Sequence, residues 1–123
     1  MRGIVATAAY VPHRRLQRTE IATTMGKGGG PGTRSVAGPD EDSTTLAVEA
    51  GRLTLKAAGP SVGPDALWFT TATPAYADKT NATAVHAALR LDAAVPALDL
   101  GGAIRTGVGA LRAALEGTGT TLA

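Results

Sequence analysis

The chain contains no cysteine. That absence removes disulfides, zinc–thiolate sites and a thiolate nucleophile from the chemistry these residues can perform. Aromatic residues are nearly absent too: one Trp, two Tyr and one Phe make up 3% of the chain. Hydrophobic residues still reach 44%, and much of that fraction is alanine. A core must therefore form by close approach of backbones rather than by interlocking large side chains. The two histidines, His13 and His86, lie too far apart in sequence for metal-ligand spacing, so no metal site is expected. No apolar run approaches the ~18 residues of a membrane span. The short apolar run of residues 3–11 precedes the basic residues instead of following them, the reverse of a secretory leader. The expectation is a cytoplasmic chain with no membrane association.

Charge is not the organising feature, at a net +2. Arg14, Arg15 and Arg18 cluster, but no aromatics are interleaved with them. They read as a solvated loop, and nucleic acid is not an expected partner. Lys27 follows Gly26 without a Ser or Thr after it, so the glycine-rich stretch 26–38 fails the phosphate-loop pattern and reads as a flexible connection.

The periodic segments are clearer. Gly3 to Val11 reads as a strand ending at Pro12, and Thr19 to Met25 as a short helix. Asp40, Glu41, Asp42 and Ser43 precede a helical run in which Leu46, Ala50, Leu53 and Ala57 share one face. Asp42 or Ser43 is the expected N-cap, and Gly59-Pro60 the stop. Ala66 to Ala72 reads as a buried strand with Trp68 in the core. Thr80 to Leu89 reads as a helix with Ala84, Val85, Ala88 and Leu89 inward. Val95 to Leu100 is a strand, Gly101-Gly102 a turn and Ile104 to Leu115 a helix, and Thr120 to Ala123 begins another strand. Alternation at this spacing predicts an α/β fold, a mostly parallel sheet flanked by helices. Because the last strand is cut short, residues 1–123 are expected to be one domain's N-terminal part, truncated at its C-terminus and folding poorly alone.

Taken in order, several segments resemble one known family. Gly3-Ile-Val-Ala-Thr-Ala-Ala-Tyr-Val-Pro12 is similar to the opening strand of β-ketoacyl-acyl-carrier-protein synthase III. Arg34 to Ser43 resembles the arginine-containing loop before an acidic helix start, and Leu46 to Ala50 the first long helix. Thr71-Ala-Thr-Pro74 resembles a Thr-x-Thr-Pro strand end, and Thr80 to His86 the helix after it. Pro96 to Leu100, leading into Gly101-Gly-Ala-Ile-Arg-Thr-Gly107, looks like the strand and nucleophile turn. The resemblance is to the N-terminal portion of the thiolase superfamily, nearest the hydroxymethylglutaryl-CoA synthases and synthase III. The acidic Asp40-Glu-Asp42 leans toward the former.

That resemblance implies a thiolase-like layered fold, of which this chain is part. It also implies acyl-CoA or acyl-carrier-protein thioesters as ligands, no further cofactor, and a homodimer or a complex with another acyl-CoA protein. The family's catalytic cysteine stands five residues after the strand aspartate. Here the aspartate is Asp99 and the position is Ile104, which has no nucleophilic atom. Hydroxymethylglutaryl-CoA synthases also carry a glutamate base at the strand end matching Thr71 to Pro74, where this chain has Ala72 and Thr73. No catalytic residue is therefore assigned. Arg34 and Arg105 are the substrate-binding candidates, for a CoA phosphate or a carboxylate. The resemblance also puts Thr80 and Asn81 near a subunit interface.

Three functional readings follow: a non-catalytic acyl-CoA-binding or partner subunit, an acyltransferase with a replaced nucleophile, and a nucleotide-binding α/β domain. The last rests on the glycines from Gly101 to Gly109, but Gly107-Val-Gly109 is followed by Arg112, so the dinucleotide pattern is incomplete. Asp99 is expected to cap the turn that follows it, and His86 to be structural.

Overall fold

The computed structural model describes residues 2–123. They form two compact units, residues 11–42 and residues 2–10 with 43–123.

The smaller unit holds β1 (Arg15–Gln17), α1 (Arg18–Met25) and β2 (Thr33–Ser35). The two strands pair antiparallel, with Leu16 opposite Arg34. β2 lies inside the stretch that sequence reads as a loop. Its three residues are largely exposed, so no apolar alternation announces it. The basic cluster is not a simple loop either, since Arg15 sits in β1 and Arg18 opens α1. Their guanidinium groups turn back on their own unit, Arg15 donating to the His13 and Arg14 carbonyls and Arg18 to that of Pro31.

The larger unit holds α2 (Ser43–Ala58), β3 (Ala66–Thr71), α3 (Asn81–Leu89), β4 (Ala97–Gly101), α4 (Arg105–Glu116) and β5 (Thr121–Leu122). Its sheet has the order β4-β3-β5 and is parallel throughout. β3 is the central strand because it alone is apolar enough to be covered on both faces. Leu67 and Phe69 are buried on it, while Trp68, expected in the core, is only half-buried on the alternate side.

α2 and α3 meet at a glycine, as an alanine-rich core requires. A Cβ on Gly51 would lie 3.0 Å from Leu89 Cδ1 and 3.7 Å from Leu122 Cδ2. The predicted stripe on α2 holds for Leu46, Ala50 and Leu53, but Ala57 is exposed and the buried positions are Thr44 and Gly51. On α3, Val85 is buried as expected, Ala84 and Leu89 are half-buried, and Ala88 is exposed. Both helices are rotated toward their smallest or hydrogen-bonded residues, which let the backbones approach.

Residues 3–11 do not form the predicted strand. They run without a ladder, with Ile4, Val5 and Val11 exposed. An apolar segment becomes a strand only where a neighbour offers a continuous row of N–H and C=O groups, and residues 3–11 form no such ladder.

Candidate functional site

In a parallel sheet the carboxyl ends of the strands and the amino ends of the following helices converge, and ligands bind there. In this chain that edge is built from the ends of β3 and β4, the loop of residues 72–80, and the starts of α3 and α4.

Asp99 on β4 organises it. One carboxylate oxygen, Oδ1, accepts the Ala82 N–H at 2.6 Å; the other accepts the Asn81 N–H at 2.7 Å and the Asn81 side-chain amide at 3.2 Å. Asp99 therefore caps α3, a neighbouring element, and not the turn that follows it. The cap works because the first N–H groups of a helix have no partner within it, and Thr80, at the N-cap position, supplies none. Asn81, 2% exposed, completes the arrangement. Its Oδ1 accepts from the Tyr76 N–H at 2.9 Å and the Thr44 hydroxyl at 3.3 Å, and its Nδ2 also donates to the Tyr76 carbonyl at 3.1 Å. Every donor and acceptor of this buried amide is used. One side chain thus ties α2, α3, β4 and the 72–80 loop together. Ser43, a candidate cap for α2, instead donates its hydroxyl to the Thr73 carbonyl at 2.7 Å, fixing the start of that loop.

Beside this network lies a cleft of about 230 Å3. Phe69, Pro74 and Ala77 give it apolar walls, and Thr71 and Lys79 bring polar groups to it. The Lys79 ammonium stands 3.8 Å from the centre of the Tyr76 ring. A larger cleft of about 640 Å3 opens among residues 2–8, the end of α2 and residues 119–123. Its walls are mostly aliphatic and backbone atoms, so it offers shape and little chemistry.

At the end of β4 the chain turns at Gly102, whose φ of +110° suits glycine, and enters α4. Ile104 is the N-cap residue, makes no side-chain capping bond, and is 89% exposed. Arg105 begins the helix, exposed and without an ion pair among the described residues. Arg34, the other substrate-binding candidate, is exposed on β2 in the smaller unit. Asn81 is buried within this chain, leaving Thr80 as the exposed member of that pair. His86 Nε2 lies 3.0 Å from the Asp92 carbonyl beyond the end of α3. Sequence reading missed Thr71, Tyr76, Lys79 and the hub role of Asn81. Thr71 and Asn81 lie in segments quoted for the family resemblance, but nothing in those segments gave them these roles, and only their convergence with Tyr76 and Lys79 at the strand ends marks them. No group of side chains suited to a metal ion occurs among the described residues, and no helix there is long and apolar enough to cross a membrane.

No family model matches the sequence. Curated relatives do. The hydroxymethylglutaryl-CoA synthase of Thermococcus sibiricus is 38% identical over 125 residues, covering 98% of this chain and 35% of that protein. That of Pyrococcus furiosus is 36% identical over the same shares. Among solved structures, a 3-oxoacyl-(acyl-carrier-protein) synthase III superposes with a TM-score of 0.78 at 24% identity, over 94% of this chain and 37% of that one. MvaS in complex with 3-hydroxy-3-methylglutaryl coenzyme A superposes with a TM-score of 0.75 at 28% identity, over 94% of this chain and 29% of that one. The chain thus spans about a third of the length of the curated relatives it matches.

Proposed function

We propose that this chain, a thiolase-superfamily segment similar to the N-terminal portion of hydroxymethylglutaryl-CoA synthases, helps bind a coenzyme A or acyl-carrier-protein thioester without forming an acyl-enzyme. The observation that carries this reading is Ile104. A helix start favours negative charge and lowers the pKa of a thiol placed there, which makes it the natural seat of a thiolate nucleophile. Here the seat is exposed and holds an aliphatic side chain. Ala72, at the end of β3, supplies no carboxylate either. What remains at the strand ends is binding architecture: a cleft, the start of α4, and the cations Lys79 and Arg105. A protein with this equipment holds a thioester, or supports a partner or second copy that performs the covalent step.

The test is acyl labelling of the full-length protein. Incubation with radiolabelled acetyl-CoA followed by a denaturing quench should leave no label on the wild type. Acyl-CoA should still stabilise it, by about 2.7 kcal/mol at a hundredfold excess over Kd. The variant I104C should gain covalent label. Label on the wild type would mean that another nucleophile has taken over, and the non-catalytic reading would fail. Absence of any stabilisation by acyl-CoA would remove the thioester from the account.

A further inference from the structure

The cleft at the ends of β3 and β4 has an unusual balance of hydrogen-bonding groups. Its two strongest side-chain acceptors are already occupied. The Asp99 carboxylate takes three N–H donors, and the Asn81 amide is saturated. Its donors are not. Thr71 Oγ1 accepts from the Thr73 N–H at 3.1 Å, which leaves its own O–H hydrogen to donate, and among the described residues that hydrogen meets no acceptor. The Lys79 ammonium forms no ion pair among the described residues, not even with Asp78 beside it in sequence; its contact is the face of Tyr76. A cation held over an aromatic face keeps its charge and its donor hydrogens available on the open side. Two spare donors, one charged, therefore share a cleft with Phe69, Pro74 and Ala77.

A ligand that answers this arrangement accepts hydrogen bonds, carries negative charge and has a short apolar body. We propose that the cleft binds a small organic carboxylate, its carboxylate held by Lys79 and Thr71 and its carbon chain against Phe69, Pro74 and Ala77. The apolar walls select against inorganic phosphate, which has charge but nothing to bury. The loop that carries Lys79 is tied at Thr73 by Ser43 and at Tyr76 by Asn81, and the Tyr76 ring lies under the Lys79 ammonium.

This site shares its cleft and Lys79 with the thioester reading and rests on that placement, but it needs neither Ile104 nor acyl transfer, so its test separates from the one above. Calorimetric titration of the full-length protein with butyrate should show saturable binding. Butyramide, its uncharged analogue, and inorganic phosphate should each bind at least tenfold more weakly. K79M should weaken butyrate at least tenfold, T71V severalfold, and K79R by less than threefold. Lys79 is exposed, so K79M should keep the wild-type melting temperature, and T71V provides a second probe. Equal binding of butyrate and butyramide, or butyrate affinity unchanged in K79M, overturns the assignment. Stabilisation by acyl-CoA that persists in that case leaves the thioester reading standing; its loss in the wild type, with butyrate still bound, does the reverse.

Discussion

At the scale of single residues, the strand-end edge is held by one carboxylate and one amide. Removing the Asp99 carboxylate leaves the first N–H groups of α3 without a cap. Asp99→Ala should therefore lower the stability of the full-length protein by about 1–2 kcal/mol. Asn81→Leu leaves the Tyr76 N–H and C=O without their partner in a buried setting, a cost of about 1–3 kcal/mol. Because the two side chains share hydrogen bonds, the double variant should fall short of the sum by at least about 0.5 kcal/mol. Urea denaturation of the four proteins checks this; strict additivity would mean that the two residues act separately. Sequence singled out Asp99 but assigned its carboxylate to the turn that follows it, whereas it caps the start of α3. Residue type says that an aspartate will find unsatisfied N–H groups. Which N–H groups lie within reach depends on the placement of α3 over β4.

Among the elements, α2 and α3 depend on a missing side chain. With Leu89 Cδ1 already at 3.0 Å from a hypothetical Cβ on Gly51, Gly51→Leu must displace Leu89 and Leu122 together. Overpacking of this kind should destabilise by about 1–3 kcal/mol. A thermal melt of the variant in the full-length protein reads it, and an unchanged midpoint would show that the two helices part freely. α4 presents the opposite situation. Ile104, Val108 and Leu111 recur at helical spacing along a face that is exposed in this chain. Helix boundaries were legible throughout, because capping residues, glycine stops and a 3.6-residue period are local signals. Rotation of the helices was less so: Ala57 and Ala88 fit the period but face outward, since the alternatives, Gly51 and the hydrogen-bonded Asn81, allow a closer approach. The short strand β2 and the segment 3–11, which forms no strand, show the same limit for strands. A ladder needs two partners, and periodicity describes only one of them.

For the whole molecule, the buried apolar residues among those described are Leu67, Phe69, Ala82, Val85 and Ala110, two of them alanines. Burial of a large aliphatic or aromatic side chain contributes roughly 1.5–3 kcal/mol, and an alanine far less. Against a backbone entropy of about 1–2 kcal/mol per ordered residue, so small a set leaves little margin. The isolated 123-residue chain should therefore unfold over a broad, weakly cooperative range when followed by circular dichroism. A sharp two-state transition would contradict this.

By itself the sequence determined the class of fold, the order and limits of the main helices and strands, and the aliphatic character of the α4 start. Each of these follows from short-range chemistry: periodicity, capping, glycine and proline punctuation, and the absence of cysteine. Tertiary structure alone decided that Asp99 caps α3, that Asn81 is the hub of the strand-end edge, and that Thr71 and Lys79 share a cleft as spare donors. Those facts are sums over residues distant in sequence, brought together by the parallel register of β3 on β4, and no local pattern carries them.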